Sequence, residues 1–203
     1  MIHVLGGGTF NHVRSHMALA APAFGGTART LAGLFRDRYT QGVQLHLTKM
    51  ADHNSNIITN SDAAELIKQL VGDPKTRAII QNFALCDFDG VIGDVPSGKY
   101  AKRLKTREGE QTMRLTPSDK LIGSIREARE DIFVVGFKTT ADASEADQIT
   151  AGENLLHSNR INLVVANDIV SRRNILITEH GHQEAPRESL LEILAKSVWD
   201  AVR

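Results

Sequence analysis

Residues 132–168, which read IFVVGFKTTADASEADQITAGENLLHSNRINLVVAND, decide the fold class of this chain. Ile132 to Phe137 and Asn162 to Ala166 are short runs rich in β-branched apolar residues, as expected for strands buried on both faces. Between them, Ser144 is placed to cap a helix. The apolar face of that helix consists of Ala146, Ile149, Leu155 and Leu156. The stretch therefore predicts two parallel strands joined by a crossover helix.

Strand and helix patterns alternate along the rest of the chain. The other predicted strands are Ile2 to Leu5, Val43 to Leu47, Ala78 to Phe88, Thr112 to Leu115 and Asn174 to Thr178. The other predicted helices are Thr27 to Arg36, Ala63 to Val71 with a capping box at Asp62 and Glu65, a segment that begins at Thr116-Pro117, and Pro186 to Val202. Residues 179–185, EHGHQEA, are predicted to be a turn. The alternation predicts an α/β fold, a Rossmann-like three-layer sandwich with a mainly parallel sheet and a short antiparallel addition near residues 172–178.

The composition limits the class of protein. A chain of 203 residues, 41% of them hydrophobic, can fill one core, so we expect a single domain over residues 1–203. The 24 basic and 24 acidic side chains balance, so bulk charge predicts neither nucleic-acid nor membrane binding. The single cysteine, Cys86, excludes an intramolecular disulfide and fits a reducing compartment. No apolar run approaches the roughly twenty residues that span a bilayer, and the opening MIHVLGGGT does not resemble a signal peptide, so we expect a cytoplasmic protein.

Histidine and cysteine do not indicate metal or thiol chemistry. The pairs His12 with His16 and His180 with His182 lack cysteine or carboxylate neighbours at the spacing of zinc sites, so we predict no metal held by the protein. No activating base lies near Cys86 in the sequence, so a small buried residue is the expected role.

Glycine corners and polar strand ends indicate a ligand site. Gly6 to Thr9 follows the first strand as a phosphate-facing loop would, although a tight structural turn would also use glycine. A second pair, Gly25-Gly26, precedes a helix, and the two corners flank Arg14. Asp87 ends a predicted strand, where doubly wound sheets bind ligands, and capping of the following turn is the alternative.

Residues 89–111 are predicted to form a long mobile flap, because they contain four glycines, a proline and few apolar groups. Their basic residues are Lys99, Lys102, Arg103, Lys105 and Arg107. A lid with these cations would close over phosphates, and the alternative is a solvated run of charges.

The order of these motifs resembles the phosphopantothenoylcysteine synthetase domain, the nucleotide-dependent ligase of coenzyme A biosynthesis. Gly7-Gly8-Thr9 followed by Val13-Arg14 is similar to the family's opening GGT…VR, and residues 84–88, ALCDF, to its A-x-S-D-F strand end. The basic loop falls at the family's lysine-rich KIK flap, and Thr116-Pro117 follows it as in the family. Gly136-Phe137-Lys138 resembles GF-x-x-ET, and residues 163–167 resemble LIVAN.

The resemblance implies that CTP or ATP, with Mg²⁺, activates the carboxylate of 4′-phosphopantothenate as an acyl-nucleotide, with loss of pyrophosphate. The amine of cysteine then displaces the nucleotide. It also implies a homodimer, and we expect any decarboxylase partner to act in trans.

The resemblance also implies site residues. The nucleotide-binding residues would be Gly7, Gly8, Thr9, Asp87, Phe137, Lys138 and Asn167. The catalytic cation of the flap would be one of Lys102, Arg103 and Lys105. The residues assigned to substrate binding are Arg14, Gly25 and Gly26.

Two departures from the family pattern leave other functions open. The family's N-x-S-S-G stretch, which handles phosphopantothenate, aligns with Ala18-Leu19-Ala20-Ala21-Pro22, and two family lysines align with Leu155 and Asn159. The main alternative is therefore a nucleotide-binding protein on the same fold that has lost or changed ligase activity. A nicotinamide-dependent oxidoreductase is disfavoured, because no acidic residue clearly ends the second strand, where it would bind a ribose.

Overall fold

Eleven strands and five helices make up the protein, which the computed structural model describes over all of residues 1–203. The strands are β1 (Ile2–Gly8), β2 (Phe10–Arg14), β3 (Met17–Ala20), β4 (Val43–Leu47), β5 (Ala78–Ala84), β6 (Phe88–Ile92), β7 (Met113–Pro117), β8 (Phe133–Thr140), β9 (Leu163–Asp168), β10 (Asn174–Thr178) and β11 (Gly181–Glu184). The helices are α1 (Gly26–Arg38), α2 (Asn60–Gly72), α3 (Leu121–Ala128), α4 (Glu145–Ser158) and α5 (Arg187–Val202). A single 3₁₀ turn covers Thr106–Glu108.

Seven strands form the main sheet, in the order β11-β10-β9-β8-β5-β1-β4. The five strands from β4 to β9 in this order pair in parallel, while β10 and β11 are antiparallel. The predicted α/β class, with a mainly parallel sheet and an antiparallel addition, is thereby confirmed. Two separate antiparallel hairpins, β2-β3 and β6-β7, lie outside this sheet.

The unit at residues 132–168 forms as predicted, with β8 and β9 parallel and α4 between them along the chain. The Ser144 side chain accepts a hydrogen bond from the backbone N–H of Asp147 at the start of α4. β8 is longer than predicted and continues to Thr140. This extension brings Thr139 and Thr140 opposite Asn167 and Asp168 on β9.

The core consists of two apolar clusters, one on each face of the sheet. Neighbouring strand residues enter opposite clusters, as Val135 and Val134 do, because side chains alternate along a strand. α1 and α5 cover the first cluster, against which Trp199 packs, and the second cluster contains residues of α2, α3 and α4. A fully buried leucine such as Leu194 contributes about 1.5–3 kcal/mol through removal of its apolar surface from water.

The glycine-rich corner after the first strand is the first correction. β1 continues through Gly8, and Gly6 to Gly8 pair with Asn82 to Ala84 on β5. The glycines allow neighbouring segments to approach closely: a Cβ on Gly6 would lie 2.3 Å from the Cβ of Ala28, and one on Gly8 would lie 1.9 Å from the carbonyl oxygen of Ala21. The predicted loop is therefore wrong, and the residues form a tightly packed strand end.

The second correction concerns residues 84–121. β5 ends at Ala84, Asp87 lies in the connection, and Phe88 begins β6, so the first residues of the predicted flap belong to a strand. Thr116 and Pro117 end β7 and do not begin a helix, since α3 starts at Leu121. Proline suits the end of a two-stranded hairpin, where its missing N–H breaks no ladder hydrogen bond. The mobility of the segment stays a prediction.

Two local predictions also change. The capping box of α2 uses Thr59 and Asp62, so Glu65 is not part of it. The predicted turn at residues 179–185 contains β11, whose four residues are all exposed. None of the five helices combines the length and the apolar character that a bilayer crossing requires.

Candidate functional site

A cleft of about 530 Å³ opens where the parallel strands end. Gly7 of β1, Asn82 to Ala84 of β5, Phe137 and Thr139 of β8 and Asn167 of β9 form its floor. The opposite wall consists of residues 21–27 and the first turn of α5. β4, the next strand of this sheet along the chain, lies on one side of β1, and β5 lies on the other side. The strand order therefore reverses at β1, and the cleft includes this point. Open α/β sheets bind ligands at this position.

The structure brings five of the predicted site residues together at this cleft, namely Gly7, Gly25, Gly26, Phe137 and Asn167. Gly25 precedes α1 with φ 73°, a left-handed conformation that favours glycine. Asn167 accepts a hydrogen bond from the Thr139 hydroxyl at 3.2 Å through Oδ1. This bond fixes the amide orientation and leaves the Asn167 nitrogen free to donate to a ligand.

Three other predicted residues, Gly8, Thr9 and Arg14, do not line the cleft. The Gly8 N–H donates to the carbonyl of Ala23 at 2.8 Å, and the Thr9 hydroxyl donates to Asn60 Oδ1 at 2.6 Å, so both groups already have partners. Arg14 is buried and donates to the backbone carbonyls of Val13, Ile92 and Val95. Its guanidinium therefore connects β2 to the segment after β6.

The charged residues predicted for the site also lie outside the cleft lining. Asp87 forms an ion pair with Lys120, and both side chains are 70% exposed. Lys138 is exposed near the end of β8, and the flap cations Lys102, Arg103 and Lys105 are exposed. Their roles in nucleotide binding and catalysis stay predictions.

Five polar residues of the cleft were not predicted from the sequence: Thr27, Asn82, Thr139, Asn174 and Arg187. Asn82 is half-buried and its amide makes no hydrogen bond within the protein. The available signal was a pair of polar residues, Gln81 and Asn82, near the end of the apolar run AIIQNFA. For Arg187, the signal was a cation directly after the proline that begins the last helix.

Asp168 shapes the rim of the cleft, although its own side chain is not part of the lining. Its carboxylate accepts hydrogen bonds from the backbone N–H groups of Ala143, Val170 and Ser171 and from the hydroxyls of Thr140 and Ser171. The bond from the Ser171 N–H, followed by the others, holds the pKa of Asp168 well below its usual range. The ionised carboxylate therefore fixes the loops after β8 and β9.

The end of the segment that aligns with N-x-S-S-G, Ala21 and Pro22, is part of the cleft wall. Ala21, Pro22, Ala23 and Phe24 line it, and Phe24 is 72% exposed. None of these side chains can donate a hydrogen bond. This wall is apolar, whereas the N-x-S-S-G motif would supply an asparagine amide and two serine hydroxyls.

A family model described as the DNA/pantothenate metabolism flavoprotein C-terminal domain matches residues 40–201. The chain belongs to this family. Its members include the kind of domain that the sequence motifs resemble, so the resemblance to phosphopantothenoylcysteine synthetase domains is confirmed.

One relative in this family is the coenzyme A biosynthesis bifunctional protein CoaBC of Thermococcus kodakarensis, which is 30% identical over 168 residues. The match covers 80% of this chain and 41% of the relative, so the chain spans about two fifths of the length of the curated relative.

Solved structures share the fold of this family member. The DNA/pantothenate metabolism flavoprotein from Streptococcus pneumoniae is similar with a TM-score of 0.83 at 18% identity, over 98% of each chain. A mutant of Cab2 in complex with phosphopantothenate-cysteine is similar with a TM-score of 0.65 at 13% identity, over 98% of this chain and 87% of the other.

Proposed function

We propose that this chain is a phosphopantothenoylcysteine synthetase-like ligase, which joins the carboxylate of 4′-phosphopantothenate to the amine of cysteine at the expense of CTP or ATP. The observation that supports it most is the family match over residues 40–201. The position of the cleft at the reversal of strand order agrees with a nucleotide site.

The proposed reaction has two steps. A carboxylate oxygen attacks the α-phosphorus of the nucleotide, and the bond to pyrophosphate breaks. The cysteine nitrogen then attacks the acyl carbon, the bond to the nucleoside monophosphate breaks, and the nitrogen loses its proton to solvent. The protein must bind phosphates, orient the acyl group and keep water away from the activated acid.

The cleft of this chain contains groups suited to a nucleotide. The Asn82 and Asn167 amides can hydrogen-bond to a base or ribose, and Phe137 and Ile169 supply apolar surface beside them. Gly7 and Gly25 shape the cleft wall, because both have positive φ and a Cβ on either would collide with a neighbouring side chain, Thr48 or Leu47. In this proposal the flap cations Lys102, Arg103 and Lys105 reach the phosphates when the segment closes, as the resemblance implies.

Magnesium enters this proposal as part of the substrate. The cleft lining contains no aspartate or glutamate, and no cluster of three potential ligand side chains occurs in the chain. Mg²⁺ commonly keeps several waters and binds through substrate phosphates, which fits a site without its own carboxylates. We also propose a homodimer by analogy with the family; a monomeric mass in solution would remove this part of the proposal.

A second candidate is a nucleotide-binding protein of the same family without ligase activity. The apolar wall at Ala21 to Phe24 favours it, because this wall cannot replace the missing amide and hydroxyl donors. Each missing hydrogen bond to an anionic group costs roughly 1.5–3 kcal/mol of binding.

A reaction assay separates the two candidates. The purified protein is incubated with CTP or ATP, Mg²⁺, 4′-phosphopantothenate and cysteine, and pyrophosphate and the ligated product are measured. The ligase proposal expects both products and no pyrophosphate without 4′-phosphopantothenate. Thermal stabilisation by a nucleotide without turnover would reject the ligase and support the second candidate.

A further inference from the structure

Arg187 is the one charged side chain that lines the cleft. It forms no ion pair, and no carboxylate belongs to the cleft lining. An exposed arginine usually has a neighbouring acid or faces bulk solvent; this one faces a concave site without a compensating negative group. The cleft therefore has a net positive charge that the chain itself does not neutralise.

Thr27 positions this guanidinium. The Nη2 group of Arg187 donates to the hydroxyl of Thr27 in the first turn of α1. Thr27 also lines the cleft. A guanidinium has five N–H donors in a planar fork, so this bond fixes its orientation and leaves other donors available. Paired donors of this kind match the oxygens of a phosphate group.

Arg187 places a positive charge at the beginning of a helix, where the helix dipole makes it unfavourable. It is the first residue of α5, after Pro186, and neither α5 nor α1 has a side-chain cap at its beginning. The beginning of a helix carries partial positive charge, so a cation is disfavoured there and an anion is favoured. The neighbouring Glu188 is exposed and does not line the cleft. Such local conflicts concentrate at functional sites.

We propose that Arg187 binds a phosphate group of the substrate in this cleft. It supplies the anion recognition that the apolar segment Ala18-Leu19-Ala20-Ala21-Pro22 cannot supply. The phosphate belongs either to the nucleotide or to 4′-phosphopantothenate, and Arg187 recognises the same chemistry in both. The inference rests on the proposed function in one respect, that the cleft receives a phosphorylated small molecule.

Matched ligand pairs test the assignment. Binding of CTP against cytidine, ATP against adenosine, and 4′-phosphopantothenate against pantothenate is measured by calorimetry for the wild type, Arg187→Ala and Arg187→Lys. Arg36→Ala is the control, because Arg36 is exposed on α1 outside the cleft. Circular dichroism and thermal unfolding check that all variants are folded.

The expected result is a loss of roughly tenfold to a hundredfold in affinity for at least one phosphorylated ligand in Arg187→Ala. Its unphosphorylated partner and the Arg36→Ala variant should show no change. Arg187→Lys should recover part of the affinity, because lysine keeps the charge and loses the fork. The pair that responds identifies the source of the phosphate.

The failures are distinguishable. If the wild type binds a phosphorylated ligand and Arg187→Ala binds it equally well, the Arg187 assignment is overturned and the proposed function stands. An equal loss for both members of a pair also overturns it, because Arg187 would then act on the shape of the cleft. If Arg187 governs phosphate binding and the reaction assay yields no pyrophosphate, the assignment stands and the ligase falls.

Discussion

Acid should destabilise this protein through buried His3, and to a lesser degree through its neighbour His46, before its carboxylates titrate. His3 of β1 is 2% exposed, and its Nδ1 lies 3.0 Å from Nε2 of His46 on the neighbouring strand β4. Its Nε2 lies 3.2 Å from the hydroxyl oxygen of Thr76, whose proton is donated to the carbonyl of Leu70 at 2.6 Å. The Thr76 oxygen therefore accepts from His3 Nε2–H, and His3 Nδ1 accepts from His46 Nε2–H.

With His46 in this tautomer, no acceptor faces a second proton on His3. Protonation of Nδ1 would require His46 to change its tautomer and would put a charge into the core. Burial, with the neighbouring His46 as the next contribution, lowers the pKa of His3 from 6.5 to about 4.

The sign of the effect follows from this direction. Between about pH 6.5 and about pH 4 the unfolded chain binds more protons at this position than the folded protein. The stability is complete above about pH 6.5 and falls as the pH drops toward 4. The shift corresponds to about 3 kcal/mol, which solvent screening near the edge strand reduces to about 2 kcal/mol.

Urea denaturation at about pH 7.5 and about pH 4.5, followed by circular dichroism, measures this loss. The His3→Gln variant has an amide that does not titrate, so its free energy of unfolding should fall less over the same interval. His157→Gln, at an exposed position of α4, is the matched control and should behave like the wild type. An equal fall in the wild type and His3→Gln would refute the reasoning.

Three other predictions concern the cleft rim, the strand ends and the nucleotide site. Asp168→Asn should lower the melting temperature by several degrees, because an amide cannot accept all the hydrogen bonds that the carboxylate receives; thermal unfolding that matches the wild type would contradict this. Gly8→Ala should destabilise by about 2 kcal/mol or more, since its Cβ would lie 1.9 Å from a carbonyl oxygen. Gly33 lies within α1, and a Cβ there would have no atom within 4 Å, so Gly33→Ala should raise the free energy of unfolding by about 0.5–1 kcal/mol. Urea denaturation compares the two glycine variants. Asn167→Ala should weaken nucleotide binding roughly tenfold in calorimetry, and Asn154→Ala on the exposed face of α4 should not; equal affinities would argue against a nucleotide site in this cleft.

The parallel sheet could be predicted from the sequence because its central strands are buried on both faces. Burial requires continuous apolar runs such as those at residues 133–135 and 163–166, and these patterns are visible without tertiary information. The helices α4 and α5 could also be predicted, because a capping serine in α4 and an apolar face in α5 are local patterns that the sequence shows directly.

The exposed strands were predicted less well. β11 has no buried residue, so it lacks the alternation that identifies a strand and was predicted to be a turn. β7, with four exposed residues out of five, was predicted at Thr112 to Leu115, but its last residues, Thr116 and Pro117, were assigned to a helix. The strand end at Gly6 to Gly8 was mistaken for a loop, because glycine that allows close packing and glycine that binds phosphate look alike in a sequence.

Five of the predicted site residues line the cleft, and distance along the chain explains why other lining residues were missed. Gly7, Phe137 and Asn167 follow strand patterns, so their common edge follows from the fold. Arg187 joins the cleft through a contact with Thr27, which is 160 residues away, and no local pattern encodes that pairing.

The outermost strand also determines how this protein can meet other molecules. β11 ends the sheet, and its residues Gly181, His182, Gln183 and Glu184 are exposed and include no large apolar side chain. A strand from another molecule that paired here would gain backbone hydrogen bonds and bury almost no hydrocarbon surface. This margin of the sheet is therefore a poor template for aggregation, even though it presents unpaired backbone groups to water.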